Sequence, residues 1–449
     1  MPNQPDPTDS FQNPPQPQAS HSLTGQLRIS SEFAQSLKAE VYNMQQLTAK
    51  LEQSEQQGVT QVIQILLVSV LLLDASDIHL EPEEQSVQVR FRIDGLLHEI
   101  TQLPYPLYKN ILSRLKLTAG VKINITDKPQ DGRFSFKLGT ESIEARVATL
   151  PTEYGEAFVL RVLNPKNLIA LEDLGLQKNI LNRIQQELKK PNGMLLATGP
   201  TGSGKTTTLY AFLKQIERPE IKLITIEDPI EYHLENVSQT QVHPEKGYDF
   251  SSGLQAIVRQ DPDVILVGEI RDQDTAAIAL QAALTGHLVL STLHTNDAPG
   301  TISRLRSLKA KSLNIGAATN LIIGQRLVRK VCVQCGITQQ ATPDEISKIH
   351  EGLKEFIDHI DTVIPATFEI KKAKGCVACN NTGYRGRTGI FEVIFVDSVF
   401  EEFILTEPST SALRAFSIKQ GMIPIYQDGL LKVLQQVTTL EEIIRITGE

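Results

Sequence analysis

Apolar and polar residues alternate along this chain with two different periods, and the change of period divides it. Residues 1–24 hold almost no apolar side chains and are rich in Pro, Gln, Asn and Ser. Such a segment cannot bury a core and is expected to be a disordered tail. Phe33, Leu37, Val41, Met44, Leu47 and Leu51 fall near a helical period, which predicts one helix over residues 30–56. A second helix is expected over 60–73. Alternation then takes over at Val87, Val89, Phe91 and Ile93 and stops at Asp94-Gly95, a hairpin signal. With further strands expected at 132–138, 142–148 and 158–162, residues 25–165 read as an N-terminal α+β domain closing near Pro165.

From about Leu168 the pattern becomes short apolar runs separated by helical stretches. The runs at 194–198, 223–226, 264–267 and 288–292 predict an α/β domain, residues 166–449, with a largely parallel sheet. Residues 330–388 interrupt it with cysteines, glycines and charges, and helices are expected to resume from Ser398.

Length and composition change this picture little. A chain of 449 residues suggests two or three domains, and 41% hydrophobic with 21% charged residues is ordinary for a globular protein. The formal net charge of -8 weighs against a nucleic-acid partner, and no direct nucleic-acid contact is expected. The longest apolar run, nine residues at 65–73, falls well short of the roughly 20 that cross a bilayer. Residues 1–20 carry six prolines and no lysine or arginine, so no export signal is read and a cytoplasmic location is expected.

Candidate chemistry begins at Gly199-Pro200-Thr201-Gly202-Ser203-Gly204-Lys205-Thr206, followed by Thr207. A predicted strand precedes this P-loop pattern and a predicted helix follows it. Its glycines let backbone N–H groups turn toward phosphates, and the helix start adds a positive field. Lys205 is placed to reach the β- and γ-phosphates of ATP, and the Thr206 hydroxyl to ligate Mg²⁺. Two acidic strand ends complete the pattern. Glu269 closes the apolar run 264–267 as a Walker B carboxylate does, holding Mg²⁺ directly or through water. Glu227, Asp228 and Glu231 close the run 223–226, and one of them is expected to orient or deprotonate the attacking water. His287 and His294 flank the next predicted strand, in position either to bond structurally or to sense the nucleotide.

Cys332 and Cys335 form one C-x-x-C and Cys376 and Cys379 another, with 40 residues between the pairs. Four thiolates suit a closed, structural Zn²⁺ site. Two unrelated turns of reduced cysteines, or an iron–sulfur cluster, are the alternatives. The separation implies that an intervening helical excursion brings the pairs together.

The chain resembles the ATPases of bacterial type II secretion and type IV pilus assembly over roughly residues 70–445. The likeness rests on Ala75-Ser-Asp-Ile-His79, Arg90-Phe-Arg-Ile-Asp-Gly95, Pro129-Gln-Asp-Gly-Arg133, Val159-Leu-Arg161, Gly268-Glu269-Ile-Arg271-Asp272 and Gln325-Arg-Leu-Val-Arg329, with the P-loop, histidines and cysteines. It implies a RecA-like P-loop ATPase domain with a tetracysteine zinc insertion, preceded by a smaller α+β, PAS-like domain. It further implies a homohexameric ATP-driven motor lying against the inner face of the cytoplasmic membrane. Its partners would be an inner-membrane platform protein and associated assembly proteins. Glu231 then takes precedence over Glu227 as the residue that activates water, with Glu269, His287 and His294 beside it. Arg133, Arg146 and Arg161 become candidates to reach the nucleotide, in a ring where the N-terminal domain of one subunit packs on its neighbour.

Overall fold

A computed structural model describes residues 25–164, 168–360 and 363–448. The predicted tail and the predicted boundary at Pro165 lie outside the described residues. Two seven-stranded sheets organise the rest. The first comprises β1 (Gln26–Ile29), β2 (Ala75–Pro82), β3 (Val87–Ile93), β4 (Leu96–Leu103), β5 (Gln130–Leu138), β6 (Glu141–Thr152) and β7 (Gly155–Leu163). Their spatial order is β1-β5-β6-β7-β2-β3-β4, antiparallel throughout except for the β1–β5 pair. Alternation along these strands gives the sheet one apolar face, which Phe91, Phe134, Phe136 and Phe158 bury against the helices Val59–Leu72 and Tyr105–Thr118.

The single helix expected over 30–56 is two, Ser31–Glu40 and Met44–Ser54. Val41 is extended, and the Asn43 side chain accepts from the Gln46 N–H to cap the second helix. The apolar spacing continues through the break because Leu37, Val41, Leu47 and Leu51 all enter the same core.

The second sheet comprises β8 (Gly193–Thr198), β9 (Leu223–Glu227), β10 (Val237–Gln241), β11 (Val264–Val267), β12 (Leu288–Leu293), β13 (Thr319–Val331) and β16 (Tyr384–Phe395), in the order β10-β9-β11-β12-β8-β13-β16. All neighbours are parallel except β13 and β16. Every residue of β8, β9, β11 and β12 is buried, as expected where helices cover both faces. β14 (Ile337–Gln340) and β15 (Glu369–Lys372) make a separate antiparallel pair, and between them lies the helix Pro343–Leu353.

Candidate active site

The parallel order of β9, β11, β12 and β8 decides where the chemistry collects. All four strands end at the same edge of the sheet, and they lead in turn into the Glu227–Glu231 turn, Glu269, His294 and the P-loop. Ligands of open α/β sheets bind at this carboxyl edge.

In the P-loop, Gly199, Gly202 and Gly204 all have positive φ, at 146°, 79° and 92°. A Cβ on Gly199 would lie 2.5 Å from the Gln325 carbonyl, so a side chain is excluded there. The helix Lys205–Ile216 starts directly on the loop, and Lys205 Nζ donates to the carbonyls of Gly199 at 2.8 Å and Pro200 at 3.1 Å. Burial, followed in importance by the opposing attraction of Glu269 and the repulsion of Arg326, holds the Lys205 pKa below its ordinary value. The Ser203 hydroxyl is buried with no hydrogen-bond partner. A loop of glycines, a desolvated ammonium and an orphaned hydroxyl fit a phosphate chain. Pro200, Thr201 and Thr206 are exposed at its mouth, and Thr207 lines the adjoining cleft.

Glu269 stands at the centre of the edge. Its carboxylate accepts from Arg271 Nη2 at 2.5 Å and lies 3.3 Å from His294 Nε2. His294 therefore joins the site. His287 does not: it precedes β12, at the opposite edge of the sheet, where its Nδ1 lies 3.0 Å from the Ala282 carbonyl. Six residues of strand separate the two histidines, a span of roughly 20 Å.

Glu227 and Glu231 also part ways. Glu227 is 3% exposed and accepts from the Thr225 hydroxyl at 2.6 Å, the Gln239 amide at 3.2 Å and the Tyr210 hydroxyl. Burial raises its pKa above the usual range despite those donors. Glu231 instead faces the N-terminal domain, where Arg146 Nη1 reaches its Oε1 at 3.0 Å and Arg146 Nη2 bonds the Ile230 carbonyl. The resemblance implied an arginine supplied by a neighbouring subunit; here the contact is made within one chain. Arg161 lines the same cleft of about 550 Å³, with Glu231, Tyr232 and Thr207, whereas Arg133 is exposed one strand further out.

Sequence reasoning passed over Gln325 and Arg326, although both lie in a string it singled out. Gln325 Nε2 bonds the Ser203 carbonyl at 2.8 Å and its Oε1 accepts from Thr208 at 3.0 Å, strapping β13 to the P-loop. Arg326 bonds the Gln325 and Asn296 carbonyls at 3.0 and 2.6 Å.

The four cysteine sulfurs lie within 4.8 Å of one another, with Cys332–Cys376 at 4.0 Å and both Cys335–Cys379 and Cys376–Cys379 at 3.7 Å. Tetrahedral Zn–S bonds of about 2.3 Å set the sulfurs about 3.8 Å apart, so the donor set fits zinc. The Cys376 and Gly383 N–H groups each approach Cys379 Sγ at 3.2 Å, a contact suited to a thiolate. The segment between the pairs is a helical excursion, as expected, carrying the helix Pro343–Leu353 between β14 and β15. β13 and β16 run antiparallel, with Val331 opposite Tyr384, and deliver both C-x-x-C turns to one place.

Fold and site together define a P-loop nucleotide-binding protein whose N-terminal sheet reaches the acidic turn after β9 through Arg146. Comparison with known proteins narrows the class. A sequence profile of the family described as "Type II/IV secretion system protein" matches residues 52–445. The chain belongs to this family. It is 42% identical over 392 residues to the type IV pilus assembly ATPase PilB of Pseudomonas aeruginosa, covering 86% of this chain and 68% of that one. It is 40% identical over 403 residues to the type II secretion system ATPase E of Vibrio cholerae, covering 89% and 77%. The PilB of Thermus thermophilus is 42% identical over 399 residues; the match takes in 89% of this chain but only 43% of that longer protein. Among solved structures, the pilus retraction motor PilT with bound ADP is 26% identical, with a TM-score of 0.57 over 85% of this chain and 95% of that one. The Legionella pneumophila ATPase DotB, 21% identical, has the same fold, with a TM-score of 0.62 over 85% and 94%.

Proposed function

We propose that this chain hydrolyses ATP as the motor of a type II secretion or type IV pilus assembly machine. The observation that carries the reading is the convergence of Lys205, Glu269, His294 and Glu231 on one sheet edge, with Arg146 reaching Glu231 across a domain cleft. In this reading the P-loop amides and Lys205 hold the phosphates, and Lys205 exchanges its bonds to Gly199 and Pro200 for phosphate oxygens. Glu231 is the base that takes the proton of the attacking water, and Arg146 and Arg161 neutralise charge on the terminal phosphate. Thr206 and Glu269 are the residues that would hold Mg²⁺, which supplies charge neutralisation at the phosphates when bound. His287, at the far edge, has no part in this chemistry.

Around this site we place a homohexamer working on the cytoplasmic side of the inner membrane, against a membrane platform protein of the assembly machine. Among the described residues no helix is long and apolar enough to cross a membrane, so a peripheral attachment is proposed. The relatives named above support the machine, and the cysteine geometry supports structural zinc. The test is phosphate release by the purified chain with Mg-ATP, beside Lys205→Ala and with sedimentation to read the ring. Turnover that depends on Lys205 is expected. Absent turnover in a folded ring, or full turnover by Lys205→Ala, overturns the assignment.

A further inference from the structure

Strand register explains why short strings scattered over the N-terminal domain belong together. Arg133 is paired with Arg146, Arg146 with Arg161, Arg161 with Asp77, and Asp77 with Arg92, across β5, β6, β7, β2 and β3. Residues directly opposite one another on antiparallel strands project from the same face. The five therefore form one transverse row, four arginines and a single aspartate, on the polar face of the sheet. Like charges placed directly opposite destabilise a sheet, so the row needs anionic partners: Glu231 meets Arg146, and Asp77 meets Arg161 and Arg92. Of its members, Arg146 reaches Glu231, and Arg161 lines the cleft beside Glu231, Gly204 and Thr207.

Asp77 is the exception in sign and in burial. It is 2% exposed and accepts from Arg161 Nε at 2.8 Å, with Arg92 Nε 3.2 Å from its other oxygen and the Ser76 hydroxyl at 2.8 Å. A bond through Nε fixes the plane of the guanidinium while leaving the terminal nitrogen on its opposite edge directed away from the carboxylate. The Arg161 side chain is meanwhile 56% exposed toward the cleft. Burial of the carboxylate demands these arginine partners, so Asp77 holds Arg161 in one orientation rather than following it.

We propose that Asp77 is a positioning residue for hydrolysis: it presents Arg161 to the terminal phosphate of ATP, with Arg92 completing the neutralisation of its charge. This inference rests on the reading that Arg161 contacts that phosphate. The role is one of orientation, so it governs the transition state more than the binding of ATP.

The experiment is steady-state ATP hydrolysis by the full chain carrying Asp77→Asn, with Arg161→Ala and the double variant beside it. Asp77→Asn is expected to lower kcat about 10-fold with KM moving less than about 2-fold, and to add nothing in the Arg161→Ala background. An unchanged kcat, or an undiminished further loss in that background, overturns the proposal. Full turnover by Arg161→Ala overturns instead the reading beneath it, which keeps the two failures apart. Should Asp77→Asn not fold, Asp77→Glu retains the charge one methylene out of place. A drop in kcat at unchanged KM then supports the proposal, and wild-type kcat overturns it.

Discussion

Arg146 and Glu231 meet across the cleft between the two domains, Nη1 to Oε1 at 3.0 Å, and the same guanidinium also bonds the Ile230 carbonyl. The arginine thereby occupies one oxygen of the carboxylate, Oε1. In the proposed reading, ATP would draw Arg146 to its terminal phosphate and release Glu231 to the attacking water. Glu231→Gln is expected to bind ATP but to lose turnover by about 100-fold or more. Phosphate release and fluorescent-nucleotide titration read the two effects separately.

Glu227, four residues earlier, is predicted to behave differently. Buried and accepting from Tyr210, Thr225 and Gln239, it serves the fold. Glu227→Gln should retain turnover within about threefold of wild type, a substitution effect of packing and not of lost chemistry. Its pH dependence carries a sign. Burial raises the Glu227 pKa in the folded chain above the ordinary value of 4.5. The stability this group contributes is thus complete below that value and is lost as pH rises through the raised one. Glutamine does not titrate, so the melting temperature of Glu227→Gln relative to wild type should climb as pH increases above about 4.5. A difference that falls over this range counts against the assignment.

Much of the fold and site is legible in the sequence, and the rest is hidden for identifiable reasons. The P-loop and Glu269 announce themselves because local chain geometry makes them, a strand and a helix flanking a fixed run of glycines. Glu227 and Glu231 look alike in sequence, and what separates them is the Tyr210 hydroxyl on one side and Arg146 of another domain on the other. His287 and His294 also look equivalent, yet a parallel strand puts its two ends at opposite edges of a sheet. The break at Val41–Asn43 escapes periodicity because both helices bury the same side. Helix Tyr105–Thr118 is not among the expected elements either, although Tyr108, Ile111, Leu112 and Leu115 repeat at helical spacing and are buried. β1 alternates over only four residues, Gln26-Leu27-Arg28-Ile29, too short a run to stand out, and the arginine row exists only in the register between strands.

Gly199 offers a test of the phosphate loop that removes no functional group. Its φ of 146° suits glycine, and an added Cβ would stand 2.5 Å from the Gln325 carbonyl and 2.7 Å from the Ser203 hydroxyl. Gly199→Ala must push β13 away from the loop or flatten the loop itself. A loss of about 1–3 kcal/mol in stability is expected, with ATP affinity falling further than the stability change explains. Thermal unfolding and nucleotide titration of the one variant check both.

The cysteine cluster makes the last prediction, and it reaches across the domains. Metal analysis of protein purified under reducing conditions should find about one zinc per chain, and Cys376→Ser should abolish it. Asn380, next to Cys379, takes a left-handed conformation, φ 51°, and its Oδ1 accepts from the Met44 N–H at 2.7 Å. Met44 opens a helix of the N-terminal domain, and Gly386 N–H bonds Asp94 of that domain at 3.0 Å. The cysteine turns thus clasp one domain to the other, and zinc, where bound, would hold their four sulfurs in one tetrahedron. Stripping the metal should therefore speed amide exchange at Met44 in the start of helix Met44–Ser54, far from the cysteines in sequence, while the buried strand β8 keeps its protection. Unchanged exchange at Met44 after complete zinc removal would show that the clasp stands without the metal.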